Sequence, residues 1–240
     1  MEKEKKKVIE VKDLCKTYFM AGGLKQEVLK HISFSINQGE FVSIMGHSGS
    51  GKSTLMNILG CLDRPTSGHY ELNGLEVADK TDEQLAHIRG KEIGFVFQNF
   101  NLLMKRTIAD NVSLPLIYAD VGAGERYERA VQMLERVGLK GYEDRLPSQI
   151  SGGMQQRVAI ARALINNPVL IFADEPTGNL DSKTSDEIMA LFTDLNKQGI
   201  TIVLVTHEED VAEYAKRLIL IHDGKVGFDG TLAQYKKESK

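Results

Sequence analysis

Residues Gly46-His47-Ser48-Gly49-Ser50-Gly51-Lys52-Ser53 fit the pattern G-x-x-x-x-G-K-[ST]. They follow the apolar run Phe41-Val42-Ser43-Ile44-Met45 and lead into a helical stretch, Ser53 to Leu59. A buried strand that feeds a glycine-rich loop and then a helix commits a chain to an α/β architecture. Alone, the pattern arises by chance in roughly one chain in a hundred; its flanks make it specific. The glycines let backbone N–H groups curl toward phosphate oxygens, and the helix start adds partial positive charge. Lys52 is suited to neutralise the β- and γ-phosphates, and the Ser53 hydroxyl, with Thr54 beside it, to meet a phosphate-bound magnesium ion.

Two further stretches carry chemistry. The apolar run Val169 to Ala173 ends in Asp174 and Glu175, so Asp174 is expected at the C-terminal end of a buried strand, where α/β proteins bind ligands. A carboxylate there suits Mg2+, which prefers oxygen ligands, and Glu175 beside it is the natural base for an attacking water. Ser151-Gly152-Gly153 opens the helix former Met154 to Leu164, leaving N–H donors for an anion. A second anion site beside a complete phosphate loop is explained by a two-fold dimer in which each site faces the other copy's loop. His207, at the end of the apolar strand Thr201 to Val205, suits a γ-phosphate sensor. Gln98 follows another such run, Ile93 to Phe97. Taken singly, His207, Gln98 and Tyr18 would be ordinary strand-end residues.

Between these motifs the pattern is consistent. Val8 to Leu14 and His31 to Ile36 alternate with period two, and Tyr70-Glu71-Leu72 and Leu75-Glu76-Val77 flank the hairpin signal Asn73-Gly74. From about Asp82 to Asn166 the pattern is largely helical, with Glu125 to Val137 stopped by Gly138 and, later, Thr184 to Gln198 stopped by Gly199. Near-continuous apolar strands separated by a helix indicate a mainly parallel sheet, and Asp223-Gly224 centres a closing hairpin. No internal repeat divides the chain, so residues 1–240 read as one nucleotide-binding domain.

A net charge of −3 offers no basic field for nucleic acid. The lysines at 3, 5, 6 and 7, interrupted by Glu4, read as a solvated, fraying terminus. Cys15 and Cys61 give no disulfide framework and sit among apolar residues, which suits buried thiols in a reducing cytoplasm. No run reaches the roughly 18 apolar residues of a membrane span.

In this order the motifs resemble the nucleotide-binding domain of ABC ATPases over essentially the whole chain. The wording "GHSGSGKSTLMNILGCLDRPTSG", "FVFQNFNLL" and "ADEPTGNLD" is similar to the branch serving macrolide export, lipoprotein release and cell division. The resemblance implies a P-loop NTPase core with a mainly parallel sheet, an N-terminal antiparallel β subdomain, and a helical subdomain inserted at about 98–165. It implies that Tyr18 stacks on adenine, residues 46–53 form the Walker A loop, and Gln98 links magnesium and water to the membrane partner. It likewise implies that residues 150–154 form the signature, Val169 to Asp174 the Walker B strand, Glu175 the catalytic glutamate, Asn179-Leu180-Asp181 the D-loop and His207 the switch. ATP and Mg2+ as cofactors follow, as do a homodimer formed on ATP binding and an integral-membrane permease. A periplasmic adaptor and a position on the inner face of the cell membrane follow too. Residues 99–103 are expected near the groove for the permease. The signature usually reads leucine-serine-glycine-glycine-glutamine; here Ile150 and Met154 occupy its ends. The rival readings are a soluble ATPase of the same type acting on DNA or ribosomes, disfavoured by the single domain and acidic balance, and an ATP-gated clamp with little hydrolysis.

Overall fold

The computed structural model describes residues 6–20 and 22–238. Lys3 and Lys5 lie outside them, but Lys6 and Lys7, expected to fray, are tied into a sheet. Lys7 opens strand β1 (Lys7–Phe19), and the Lys6 carbonyl accepts from the Gln38 N–H at 2.8 Å. The reason is the length of the pairing with β2 (Lys25–Asn37), which runs from Lys7 opposite Asn37 to Phe19 opposite Lys25. Two short strands, β4 (Ser67–Leu72) and β5 (Leu75–Glu76), complete a four-stranded antiparallel sheet. Asn73 and Gly74, both at positive φ, turn that hairpin as a type I′ turn requires.

The second sheet has six strands in the order β10-β9-β3-β8-β7-β6. They are β3 (Phe41–Met45), β6 (Ile93–Phe97), β7 (Leu170–Asp174), β8 (Thr201–Val205), β9 (Arg217–His222) and β10 (Lys225–Gly230). All pair in parallel except β10, which returns antiparallel on β9 at the edge. Strands β7 and β8 are apolar except for Asp174 at the end of one and Thr201 at the start of the other, because both faces are covered. Leu170, Phe172, Val203 and Val205 pack toward the antiparallel sheet and helix α1 (Lys52–Leu59), while Ile171, Ala173, Ile202 and Leu204 pack into a second core.

Helix α2 (Asp82–Glu92) precedes β6, and Thr81 and Gln84 close a reciprocal capping box at its start. Between β6 and β7 lie α3 (Ile108–Ile117), α4 (Ala123–Arg136), a single 3₁₀ turn at Pro147–Gln149 and α5 (Gly152–Leu164). With α6 (Ser182–Lys197) they form the second core, whose members include Val112, Leu134, Ile160 and Phe192. A short α7 (Glu209–Ala212) and a terminal α8 (Leu232–Glu238) follow. Among the described residues no helix is long and apolar enough to cross a membrane.

Asn111, fully buried in α3, holds the irregular chain before that helix. Its Oδ1 accepts from Leu103 N–H at 2.6 Å, and its Nδ2 donates to the carbonyls of Leu103 and Thr107 at 3.1 and 2.9 Å. Asn111→Ala would leave these groups buried without partners, so we expect a loss of about 2–3 kcal/mol in urea unfolding.

Candidate active site at the C-terminal ends of the parallel strands

Parallel pairing fixes where the chemistry collects. Ile44 pairs with Val205, Val205 with Asp174, and Asp174 with Phe97. The chain therefore leaves β3, β8, β7 and β6 at the same edge, carrying there the loop from Gly46, the pair Thr206-His207, the pair Asp174-Glu175, and Gln98. Four segments far apart in sequence meet at the crevice where open α/β sheets bind ligands.

The loop itself is shaped by close backbone approach. Gly46 adopts φ 155°, and a Cβ there would lie 2.2 Å from the Ile221 carbonyl oxygen, so no side chain fits. His47, Ser48 and Gly49 are exposed, whereas Ser50 turns inward and is buried. Lys52 curls back over the loop, its Nζ donating to the carbonyls of Gly46 at 2.7 Å and His47 at 3.0 Å. Ser53 is exposed and Thr54 half-buried on the first turn of α1. That turn has no side-chain cap and no acidic residue, whereas Thr81, Thr107, Ser151 and Asp181 cap α2, α3, α5 and α6. The N–H groups at the start of α1 thus remain available to an anion.

Across the crevice Asp174 is half-buried at the end of β7. Its carboxyl is held above the usual range by burial and by the neighbouring Glu175, with Lys52 acting in the opposite sense. A cation here would relieve that repulsion. Asp174, the Ser53 hydroxyl and the Gln98 amide oxygen would offer an oxygen donor set of the kind that Mg2+ prefers. Glu175 has φ 44°, and its N–H donates to the Val205 carbonyl at 2.9 Å. Its Oε1 meets His207 Nδ1 at 2.7 Å, and its Oε2 accepts from the Thr206 hydroxyl at 3.2 Å. The carboxylate is thus aimed by two contacts and the backbone beneath it held by a third, all to the end of β8.

Gln98 is exposed, and a Cβ on Gly178 would lie 2.5 Å from its Nε2. Asn179 ties the two loops together, its Nδ2 donating to the Gln98 carbonyl at 3.0 Å and to Asn99 Oδ1 at 2.9 Å. Tyr18 stands apart at the end of β1. Its hydroxyl donates to Asp63 Oδ2 at 3.1 Å, and Lys16 Nζ lies 4.9 Å from its ring centre. Ser151-Gly152-Gly153 is not brought to the loop: among the described residues no hydrogen bond joins the two. Ser151 caps its own helix by accepting from Met154 N–H at 3.3 Å, Gly153 packs against Thr184, and Met154 packs half-buried on the second core.

Two residues that matter for this geometry escaped the sequence reading. Gln156, fully buried in α5, donates to the Pro176 carbonyl at 2.7 Å and so ties that helix to the turn after Glu175. Arg162 donates to the carbonyls of Phe100 and Asn101 at 2.8 and 2.6 Å, and burial lowers the pKa of its guanidinium. A polar residue on the apolar face of a helix, in line with Ile160 and Ala163, is the signal that marks Gln156.

The contact with Glu175 raises the His207 imidazole above its ordinary value of 6.5. A raised value means that the charged contact is complete below pH 6.5 and is lost as pH climbs through the raised midpoint. In an NMR titration of the nucleotide-free protein, Glu175→Gln should return the His207 midpoint toward 6.5; an unmoved midpoint would contradict the pairing.

The profile of the ABC transporter family matches residues 29–178. The ATP-binding protein YknY of Bacillus subtilis is 52% identical over 219 residues, covering 91% of this chain and 95% of that protein. The macrolide export ATP-binding/permease protein MacB of Syntrophobacter fumaroxidans is 55% identical over 222 residues, 91% of this chain. The chain spans 31% of that protein and 37% of the Bdellovibrio bacteriovorus one of the same name. Among solved structures, a dimeric post-hydrolysis state of the ATP-binding cassette MJ0796 bound to ADP and Pi superposes with TM-score 0.84. It is 47% identical, covering 93% of this chain and 98% of that one. The cbiO1 subunit of Clostridium perfringens superposes with TM-score 0.85 at 29% identity, covering 98% and 92%. The chain belongs to the ABC transporter family, as an ATP-binding cassette of that family.

Proposed function

We propose that this cassette dimerises on Mg-ATP, hydrolyses it between two copies, and thereby drives a membrane permease from the inner face of the cell membrane. The observation that supports this most is the meeting, at one sheet edge, of an uncapped helix start with Lys52, Asp174, Glu175 and His207. Residues 46–54 hold the phosphates, Tyr18 the adenine, and Ser53, Asp174 and Gln98 the Mg2+. When bound, Mg2+ neutralises phosphate charge. Glu175 accepts the proton of the attacking water, held in orientation by His207 and Thr206. Phosphoryl transfer to water needs chiefly such positioning and charge stabilisation.

The dimer supplies the missing half of the site. Ser151, Gly152 and Gly153 of the second copy would cover the phosphates, since within one chain they are not joined to the loop. The dimeric form of the MJ0796 cassette supports this. The name of the MacB relatives supports a permease as partner, with a periplasmic adaptor beyond it. The segment Asn99 to Leu103, shaped by Arg162, Asn111 and Asn179, lies on the surface we assign to the permease.

The test is affinity purification of tagged Glu175→Gln from detergent-solubilised native membranes with Mg-ATP. Recovery of an ATP-loaded dimer with a permease of few transmembrane helices and a large extracytoplasmic domain is expected. Recovery of soluble partners alone would overturn the reading. Met154→Gln restores the usual signature amide, and we expect unchanged ATP affinity with turnover raised several-fold, measured by phosphate release; equal turnover would show that position 154 is indifferent.

A further inference from the structure

The phosphate loop, whose backbone the nucleotide reading assigns to phosphate, carries at His47 an imidazole that the reading gives no role. His47 faces the tip of the β9–β10 hairpin, where His222 and Asp223 stand. Its Nε2 lies 3.5 Å from Asp223 Oδ1, and His222 Nδ1 lies 3.5 Å from Asp223 Oδ2. The two imidazoles meet edge to face with centroids 5.2 Å apart. One donor atom from each of the three residues lies within 4.8 Å of the other two, and all three side chains are exposed.

Two features separate this cluster from a chance meeting of surface side chains. The first is the tautomer. His47 Nδ1 lies 2.7 Å from the Ser48 carbonyl, which can only accept, so Nδ1 carries the proton and Nε2 presents its lone pair to Asp223. A ring N–H given to a backbone carbonyl is the arrangement that orients metal-ligating histidines. The second is spacing. Charge-assisted hydrogen bonds between such groups run at about 2.7–2.9 Å, and both contacts here are longer. The contacts reach different oxygens of the one carboxylate, so each imidazole has its own oxygen at 3.5 Å, near the roughly 3.3–3.4 Å that separates neighbouring donors about a tetrahedral zinc ion.

The cluster is also held in place. The hairpin tip is bound to the loop by Gly224 N–H donating to the Ser50 carbonyl at 3.0 Å. It is bound to β2 by Lys30 N–H donating to the Gly224 carbonyl at 2.7 Å. Asp223 itself sits at φ 49° in a two-residue turn, so its carboxylate is presented on a short, fixed lead.

We propose that His47, His222 and Asp223 form a three-donor site for a first-row transition cation of the Zn2+ class. The site joins the phosphate loop to the β9–β10 hairpin. Two imidazoles and one carboxylate suit such an ion and leave a fourth position open to water or an anion. A bound ion would cross-link the hairpin to a loop residue whose carbonyl also anchors Lys52.

The test is Zn2+ titrated by calorimetry into the untagged, nucleotide-free chain. It uses a His207→Ala background, which dismantles the other such cluster among the described residues, Glu175, His207 and Glu208. One ion per chain is expected, and adding His222→Ala or Asp223→Asn should each weaken it by at least about tenfold. Absence of binding in the His207→Ala background, or affinity unchanged by both added substitutions, would overturn the site. Asp223→Asn preserves the turn, since Asn tolerates positive φ, so a folded variant is secured. As a second readout, in the same His207→Ala background, Zn2+ should raise the melting temperature of the parent chain but not of the chain that also carries His222→Ala; an equal rise in both would also overturn it.

Discussion

Parallel pairing of β3, β8, β7 and β6 in a single register is the constraint on which the rest of this molecule depends. Because neighbouring strands point the same way, every connection between them must cross a face of the sheet, and their C-terminal ends meet at one edge. The long run between β6 and β7 is accordingly helical and covers one face, while α1 and the antiparallel sheet cover the other. A slip of one residue in β7 would exchange Phe172 for Ala173 between the two cores and carry Asp174 out of line with Val205. The apolar packing and the site geometry therefore stand or fall together.

Charge in the crevice is arranged as mutual restraint. Lys52 lowers the affinity of Asp174 for a proton while Asp174 and Glu175 repel one another. Glu175 finds its relief in His207 and Thr206 on the adjacent strand end. A carboxylate held in this way is pre-aimed before any substrate arrives. Its backbone, at φ 44°, lies in a region that a non-glycine residue occupies only when its surroundings enforce it. The N–H bond to Val205 is part of that enforcement.

Much of this was legible in the sequence, for particular reasons. The phosphate loop, the strand into Asp174 and the turns at Asn73-Gly74 and Asp223-Gly224 depend on local chemistry that residues announce by type and order. The parallel character of the main sheet follows from its near-continuous apolar strands, but its strand order does not. Less legible was anything held by a contact between distant segments. Helix α3 carries Pro115 within it, which blurs its period. The anchoring by Asn111, Gln156 and Arg162 depends on which carbonyls the fold brings beside them. The fraying expected of Lys6 and Lys7 failed because a strand partner thirty residues away outweighs the local preference of lysine for water. That, among the described residues, Ser151 to Gly153 make no hydrogen bond to the loop of their own chain agrees with the sequence reading, which assigned them to the loop of a second copy.

Helix α5 has one further property. At its first turn stand Ser151 and the two glycines; near its last stands Arg162, gripping the left-handed turn at Phe100 and Asn101. The two ends are about 16 Å apart along a straight helix, and Gln156 pins the shaft between them to Pro176. The glycine end and the Phe100 turn are thus attached to one hydrogen-bonded rod, so their spacing is set by helix geometry and not by a relay of side-chain contacts.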